Sequence, residues 1–360
     1  AAGIASSLDD AAGNAVGNLS AASLSDASAP VLSSVRYEDN DTNGTIDRAR
    51  LVFTESATIT YVDGDWTATA NSLTSFDVSA ISSGNISETI YLTASATSNL
   101  TGVGAGTQPT LSFTPTTGSI VDASSNAVSS ISATSLTDGA APARVSPSYK
   151  DVVSVDGMID RVDVVFSEPV VVATCESSDY TIGGADSTGL SVASCTASSS
   201  TLQLVFSDAP ARDTNLTLTL AYTAASGVAN SLRDDSSNAV PNLSATAISD
   251  AAAPRFRTDT GYRPKYQDAN GDGQIDRALV QFTEPVTITY SDADWTATAN
   301  TLTSFDVSGI SSANGTAAVY LSATAAANLT GVSAGTQPTI AFSASGGSIL
   351  DGSSNSLTSF

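Results

Sequence analysis

Two stretches of the sequence place oxygen-bearing side chains at alternate positions, as calcium-binding loops do. They are "DNDTNGTID" (39–47) and "DANGDGQID" (268–276), and each has a glycine where such a loop turns tightly. Calcium takes roughly six to eight oxygen ligands, which alternate side chains and a carbonyl can supply around the turn. The predicted calcium ligands are Asp39, Asp41, Asn43, Asp47, Asp268, Asn270, Asp272 and Asp276.

The middle loop of the chain, "DVVSVDGMID" (151–160), is one residue longer and has valine where the first (39–47) and third (268–276) loops have a polar ligand. It keeps Asp151, Asp156 and Asp160 as candidate ligands, and we expect its site to be weakened or empty. Asp, Asn and Gly also form ordinary turns. That interpretation suffices for one loop, whereas two loops with the same alternate ligands favour calcium.

The calcium-like loops are not EF-hands. Position 12, which needs a bidentate glutamate, holds Arg50 in the first loop and Leu279 in the third, and a strand pattern follows each loop. A missing ligand must therefore come from elsewhere in the chain. The candidates are the linker acids Asp138 and Asp250, the closing-loop acids Asp122, Asp234 and Asp351, and the strand acids Glu55, Glu168 and Glu284.

The linker acids make geometric sense, because Asp138 and Asp250 each lie a few residues before a proline that begins the next repeat. An ion held by a linker aspartate and the next domain's loop, with or without the previous domain's closing loop, would stiffen the joint. Without the ion the carboxylates would repel one another, and we expect the joint to bend.

The chain contains internal repeats. "DWTATANSLTSFDVS" at 65–79 recurs as "DWTATANTLTSFDVS" at 294–308, and a diverged copy lies between them. Self-similarity at a fixed period indicates a tandem array. We predict terminal strands of a preceding repeat over 1–28, followed by repeats over 29–140, 141–252 and 253–360, the last of which lacks its final strand.

This register leaves two interpretations open. The chain is either a segment of a longer tandem array, or its first residues supply the strand that the third repeat of another copy lacks. Strand addition to an open sheet edge is a known mode of recognition. A head-to-tail contact that does not close makes a filament.

Alternation of apolar and polar residues predicts β-strands, for example in "RARLVFT" (48–54) and "TLQLVFS" (201–207). Clusters of Gly, Asn, Asp and Ser separate these stretches. About seven short strands per repeat is typical of an immunoglobulin-like sandwich. We therefore predict an all-β chain of tandem immunoglobulin-like β-sandwich domains in an elongated array, with Trp66, Tyr180 and Trp295 in their cores.

The net charge of −23 excludes nucleic acid as an expected partner, because phosphate binding needs lysine and arginine. It equally disfavours an anionic membrane surface, and no apolar run is long enough for direct membrane insertion. The charge favours cations, although acidity can also serve solubility alone.

No enzymatic activity is expected. The sequence has no histidine, so Ser-His-Asp and Cys-His triads and histidine-ligated metals are excluded. A carboxylate pair could still hydrolyse glycosides. However, the acids recur at equivalent positions of the repeats, which suits a structural role better than a single active site.

Cys175 and Cys195 are 20 residues apart in the diverged middle repeat. Two cysteines without histidine cannot complete a zinc site, so a disulfide is the preferred interpretation and two buried thiols the alternative. A disulfide indicates an oxidising, extracytoplasmic compartment.

Three motifs together resemble a known family. A "D-x-N-x-D-G-x-I-D-R" loop before "V-x-F-x-E-P-V", a closing "D-x-x-x-N-A-V" and a "D-x-A-A-P" joint are similar to the bacterial immunoglobulin-like repeats of surface-layer proteins and large cell-surface adhesins. The resemblance implies coats, fibres or stalks that often depend on calcium, with Asp268, Asn270, Asp272 and Asp276 as ion ligands.

The expected function is that of an extracellular structural protein of the cell surface, rigidified by calcium near its domain joints. Its expected partners are other copies of itself, or further repeats of the same chain, in an array or filament. The alternative is an adhesin repeat that binds carbohydrate, for which glycans would be the partners and exposed paired aromatic rings the signature.

Overall fold

The computed structural model describes residues 10–14, 20–70, 75–97, 108–206, 212–224, 231–299, 304–312, 314–326 and 337–360. In these residues the chain forms strands, loops and short 3-10 turns, which confirms the predicted all-β class. None of the helical turns in this part of the chain is long and apolar enough to cross a membrane. The 3-10 turns are Asp63–Asp65, Ser177–Asp179 and Asp292–Asp294.

The first repeat forms two sheets that share one core, the arrangement of a β-sandwich. Its larger sheet has the strand order β4-β5-β2-β1-β9, with β7 on the second half of β2, and its smaller sheet has the order β3-β6-β8. The strands are β1 (Leu32–Glu38), β2 (Arg48–Thr60), β3 (Trp66–Thr69), β4 (Phe76–Ser83), β5 (Ser87–Ala96), β6 (Thr110–Phe113), β7 (Ser119–Val121), β8 (Ile131–Ser135) and β9 (Thr137–Asp138).

The middle repeat has the same plan. Its sheets are β14-β15-β11-β10-β19, β13-β16-β18 and the short pair β12-β17. The strands are β10 (Arg144–Lys150), β11 (Arg161–Phe166), β12 (Val171–Val172), β13 (Tyr180–Gly183), β14 (Val192–Ser198), β15 (Thr201–Phe206), β16 (Thr219–Tyr222), β17 (Leu232–Arg233), β18 (Leu243–Ala247) and β19 (Ser249–Asp250).

The third repeat has a large sheet of order β23-β24-β21-β26-β27, with β20 also on β21, and a small sheet in which β25 pairs with β22. The strands are β20 (Lys265–Gln267), β21 (Arg277–Thr289), β22 (Trp295–Thr298), β23 (Phe305–Ser312), β24 (Thr316–Ala325), β25 (Thr339–Phe342), β26 (Ser348–Leu350) and β27 (Ser356–Leu357).

Each repeat has a separate hydrophobic cluster, because every second residue of the strands points inward. In β2, for example, Leu51 and Phe53 are buried while Thr54 is exposed. Trp66 and Trp295 lie in the first and third clusters, and Tyr180 takes the equivalent place in the middle one. The predicted domain boundaries stay a prediction, and part of the 1–28 segment lies outside the described residues.

A disulfide joins Cys175 to Cys195 in the middle repeat, with a Cα–Cα distance of 5.4 Å. Cys195 belongs to β14, and Cys175 lies between β12 and the following 3-10 turn. The bond therefore connects two chain segments of the repeat whose core has tyrosine in place of tryptophan.

The chain leaves the first two repeats along a fixed path. Strand β9 runs parallel to β1 with Asp138 opposite Tyr37, and β19 runs parallel to β10 with Asp250 opposite Tyr149. The main chain of each linker aspartate is thus held by the first strand of the repeat that it leaves. Its side chain lies close to carboxylates of the repeat that follows.

Candidate metal centres at the repeat joints

Three groups of carboxylates occupy equivalent places, one for each repeat. Each group joins a linker aspartate, a strand glutamate and a closing-loop aspartate, with one oxygen of each residue within 4.8 Å of the other two. We call these groups the joint triads. They are Asp26, Glu55 and Asp122 for the first repeat, Asp138, Glu168 and Asp234 for the middle repeat, and Asp250, Glu284 and Asp351 for the third.

The sheet topology explains why a triad spans a joint. Asp138 ends β9 on the edge of the first repeat, whereas Glu168 follows β11 and Asp234 follows β17 of the middle repeat. The triad therefore takes one carboxylate from the exit of one repeat and two from the entrance of the next. Asp250, Glu284 and Asp351 are related to the next joint in the same way.

The repeated Ser-Ser-Asn of the closing loop fixes the third carboxylate. In the middle repeat, Asp234 accepts hydrogen bonds from Asn238 N and Asn238 Nδ2, both at 2.8 Å. The loop can turn this tightly because Ser237 adopts a left-handed φ of 72°. Asn238 Nδ2 also donates to the main-chain oxygen of Asp138 at 3.5 Å, so the same amide contacts the linker.

The other two closing loops repeat this contact. Asn126 Nδ2 donates to Asp26 O at 3.3 Å, and Asn355 Nδ2 donates to Asp250 O at 3.5 Å. The closing motif contains this asparagine, but its contact with the linker was not predicted from the sequence. Its conservation of spacing from the closing aspartate in all three repeats was the available signal.

Burial makes the middle and third triads electrostatically costly. Glu168 and Glu284 are each only 3% exposed. Burial, with the nearby charge of Asp234, raises the pKa of Asp138 to about 7. Burial also raises the pKa of Glu284 to about 8, against the opposing hydrogen bond from Thr214. Buried carboxylates of like charge need protons or a cation, because each ionised group disfavours ionisation of the next.

One oxygen of the middle triad has no hydrogen-bond partner in the part of the chain that the structure describes. Asp138 Oδ1 accepts the main-chain N–H of Ala140 at 2.9 Å. Asp138 Oδ2 is buried and has no hydrogen-bond partner among the described residues. A buried acceptor in that state costs about 1–3 kcal/mol, and a cation in the triad would remove the cost.

Folding stability without divalent cations should therefore fall as the pH rises. The folded-state pKa values of Asp138 and Glu284 lie above the ordinary values of 3.8 and 4.5 for these side chains. The folded chain then binds more protons than the unfolded chain between about pH 4 and pH 8, so the free energy of unfolding decreases across that window. Urea unfolding in chelator at several pH values measures this slope. A flat or rising profile would contradict it.

The first acidic loop also brings carboxylates together. Asp39, Asp41 and Asp47 each have an oxygen within 4.8 Å of the others. Asp39 holds the turn by accepting hydrogen bonds from Gly44 N at 2.7 Å and Asn43 N at 3.2 Å. Burial raises the pKa of Asp39, and the neighbouring Asp41 contributes to the rise. This loop is a second kind of candidate site, at the same end of the repeat as Asp138.

The third acidic loop (268–276) has the same kind of turn as the first, but its carboxylates do not come together in the same way. Asp268 accepts hydrogen bonds from Gly271 N at 2.7 Å and Gly273 N at 2.8 Å. Asp276 accepts from Ala269 N, and Asp272 accepts from Gln274 N at 2.8 Å. In the described residues, Asp268, Asp272 and Asp276 do not form a group within 4.8 Å. The side-chain amide of Asn270 donates to Asp272.

The middle loop contains a guanidinium beside its first aspartate. Arg255 Nε lies 3.0 Å from Asp151 Oδ2, and the Asp151 side chain is fully buried. Asp160 accepts three main-chain N–H groups, from Val152, Val153 and Ser154. Asp156 accepts the N–H of Met158 at 3.0 Å. The positive charge next to Asp151 would repel a cation bound in this loop, and the expected weak or empty ion site stays a prediction.

Replacing Arg255 by glutamine should destabilise the second joint by about 3 kcal/mol, because it leaves the buried Asp151 charge without its partner. Urea unfolding in chelator measures the loss. Arg263→Gln is the matched control, since Arg263 is exposed. Equal unfolding midpoints for the two variants would show that the ion pair does not stabilise the joint.

The structure brings together a different combination of carboxylates at a joint from the one expected from the sequence. We expected a linker aspartate with the next repeat's acidic loop, with or without the previous repeat's closing loop. The structure places Asp138 and Asp250 with the next repeat's glutamate and closing loop. The acidic loop that lies at the joint belongs to the previous repeat, because it follows the far end of β1 or β10.

Close packing shows where the acidic loops lie. A Cβ atom at Gly44 would be 3.1 Å from Ser167 Cβ of the middle repeat, and one at Gly157 would be 2.7 Å from Thr283 Cγ2 of the third. Both glycines have positive φ. At the second joint the buried Thr214 also donates a hydrogen bond to Glu284 and bonds to Thr283 at 2.8 Å.

No family model, curated protein or solved structure matches this chain. The resemblance to surface-layer and adhesin repeats therefore stays a prediction that rests on the sequence motifs.

Proposed function

We propose that this chain is a segment of an extracellular structural array, built from tandem immunoglobulin-like sandwiches whose joints are stiffened by calcium. The carrying observation is the joint triad, which occurs in all three repeats and takes its carboxylates from the linker and the following repeat. We further propose that such arrays form a surface coat, fibre or filament. The disulfide is compatible with an extracellular location.

The chemistry of the triads supports a hard divalent cation. Three carboxylates supply oxygen ligands only, and calcium accepts irregular sets of such ligands together with main-chain carbonyls and water. Magnesium demands a stricter octahedral arrangement. A cation would neutralise buried charges that raise one another's pKa values, and would tie the exit of one repeat to the entrance of the next.

The electrostatic difference between a joint with a bound cation and a joint without one supports a joint that responds to the ion. Two unit charges 4 Å apart repel by about 4 kcal/mol at an effective dielectric constant of about 20. That repulsion acts between Asp138 on one side of the first joint and Glu168 and Asp234 on the other. Removing the cation should therefore loosen the contact between neighbouring repeats while leaving each core intact.

The two tryptophans do not favour the adhesin alternative. Trp66 and Trp295 are 8% and 7% exposed and pack against Phe113 and Phe342 inside their repeats. A carbohydrate platform would need such rings at the surface. We therefore place the structural role first.

Small-angle X-ray scattering with calcium and with chelator tests this proposal. Wild-type chain should have a larger maximum dimension and a narrower distribution of shapes in calcium. Asp138→Asn with Asp250→Asn should remove the difference. Asp77→Asn with Asp306→Asn is the matched control, because it removes two exposed aspartates from equivalent strands. Identical scattering of the wild type in calcium and in chelator would contradict the proposal.

A further inference from the structure

The third repeat contains a basic segment that the other two repeats lack. The proline that begins a repeat precedes the tyrosine of its first strand by seven positions in the first and middle repeats, but Pro254 precedes Tyr266 by twelve. Within residues 255–265 four basic residues outnumber one acidic residue, in a chain whose net charge is −23. We call residues 257–265, which include the added residues, the basic segment.

Contacts inside the basic segment give it a defined shape. Arg257 Nε and Nη2 donate to the two carboxylate oxygens of Asp259 at 3.1 and 2.7 Å. The Arg257 guanidinium also lies 3.2 Å from the centre of the Tyr262 ring, and Tyr262 N donates to Asp259 O at 2.9 Å. The carboxylate of the segment is thus used by its own arginine. Arg263 and Lys265 are exposed and form no ion pair with any residue that the structure describes.

The basic segment projects from one edge of the large sheet. Phe256 pairs with Phe282 and Lys265 with Leu279, so the chain leaves β21 after Phe256 and returns to it at β20. The tip of the segment reaches solvent, where Tyr262 is 41% exposed. Strand β20 lies on one side of β21, whereas β24 and β23 lie on the other side.

The opposite edge of the same sheet has two exposed carboxylates. Asp306 lies on β23, and Asp292 lies in the 3-10 turn before β22. The Tyr290 hydroxyl is 3.0 Å from Asp292 Oδ1 and 2.8 Å from Val307 O, which places Asp292 beside β23. The two edges of the third repeat therefore have charges of opposite sign.

The chemistry of the basic segment fits a partner whose surface is rich in carboxylates. Arginine and tyrosine are enriched where proteins contact one another, and a guanidinium matches a carboxylate in geometry. A second copy of this chain is such a partner, because its own β23 edge presents carboxylates in the same repeat. Salt screens charges that are more than about 8 Å apart at physiological ionic strength. The net repulsion between two acidic copies is therefore weakened, while charges in direct contact still attract.

We propose that the basic segment of one copy of this chain binds the β23 edge of the third repeat in a second copy lying beside it, with Arg263 and Lys265 against Asp292 and Asp306. Because the two surfaces are on opposite edges of the sheet, the contact is heterologous, and each copy binds one neighbour on either side. The product is a row of chains. This inference names a lateral partner within the array proposed above and rests on that proposal.

Charge reversal tests the contact. Sedimentation equilibrium of the whole chain, in low salt and chelator so that calcium cannot bridge copies, should show a wild-type mass that rises with concentration. Arg263→Glu with Lys265→Glu, and separately Asp292→Lys with Asp306→Lys, should each weaken association by roughly tenfold or more. A chain with all four substitutions should associate like wild type, because its two edges again have opposite charges. At about 1 M salt, where the screening length is about 3 Å, wild type should be monomeric.

The first repeat provides the matched control. Asp63 and Asp77 are the exposed counterparts of Asp292 and Asp306, but the first repeat has no basic segment. Asp63→Lys with Asp77→Lys should associate at least as strongly as wild type, since it makes the chain less acidic. The substitutions at Asp292 and Asp306 change the net charge equally, so weaker association of that variant reports the contact and not the overall charge.

Three results would overturn the inference. They are association that neither reversal changes, a four-substitution chain that associates as weakly as the two single-edge variants, and a wild type that is monomeric at every concentration. In the last case, retention of wild type on immobilised polygalacturonate, lost in Arg263→Glu with Lys265→Glu, would assign the basic segment to a carboxylated polysaccharide. The calcium response in scattering is recorded on dilute chain, in which copies are separate. Its absence would therefore count against the proposed function and not against this contact.

Discussion

Calcium should raise the thermal unfolding midpoint of the wild-type chain by roughly ten degrees, and Glu168→Gln with Glu284→Gln should remove most of that rise. A ligand at 100 times its dissociation constant stabilises the folded state by about 2.7 kcal/mol for each site. For a domain of about 100 residues, 1 kcal/mol shifts the midpoint by roughly 4–8 °C. Both glutamates are buried, with only 3% of each residue exposed, so substitution removes a ligand that solvent cannot easily replace.

The same substitutions should have the opposite effect in chelator. Each removes one of three mutually repelling carboxylates, so the variant should unfold at a higher temperature than wild type when no divalent cation is present. This reversal separates loss of an ion site from ordinary damage to the fold. Glu88→Gln with Glu176→Gln removes the same charge outside the triads and should leave the calcium response unchanged. A variant with wild-type behaviour in both buffers would contradict the assignment of Glu168 and Glu284.

Reduction of the disulfide should lower the free energy of unfolding of the middle repeat by about 3 kcal/mol, as loop-closure entropy predicts for a cross-link across roughly 20 residues. The effect should be large because Tyr180 and Tyr222 there replace the tryptophan–phenylalanine pair of the other two cores. Urea unfolding with and without reductant measures the loss.

Replacing both cysteines by alanine provides the control for reduction. The middle repeat of that variant should unfold at a lower urea concentration than in wild type, both with and without reductant, and reductant should no longer change its midpoint. Unfolding signals from Trp66 and Trp295, which lie in the other two cores, should stay where they are in wild type. A middle repeat whose unfolding midpoint ignores reductant would show that the Cys175–Cys195 bond contributes little to stability.

The class of fold could be predicted from the sequence because strand alternation is a local signal. In β2 the inward positions of "RARLVF" read directly as Ala49, Leu51 and Phe53, all buried. The repeats carried the same signal three times, so a single misread strand could not change the result. The 3-10 turns before Trp66 and Trp295 were not predicted, since three-residue turns leave no periodicity to detect.

The joint could be predicted only in part. The sequence identified Asp138, Glu168 and Asp234 as candidate ligands, but placing them together requires the parallel pairing of β9 with β1, which is a contact between distant segments. The sequence around a linker aspartate also does not indicate which of the two neighbouring repeats its side chain will contact. The ion pair of Arg255 with Asp151 depends on packing across the second joint, and neither residue's neighbours in sequence indicate it.

The most direct measurement is an anomalous difference map from crystals of the wild-type chain grown in calcium. The account predicts peaks among the carboxylates of Asp138, Glu168 and Asp234, and of Asp250, Glu284 and Asp351, with oxygen ligands at about 2.3–2.6 Å. Peaks confined to the loop of Asp39, or no peak at either of these two triads, would contradict the account.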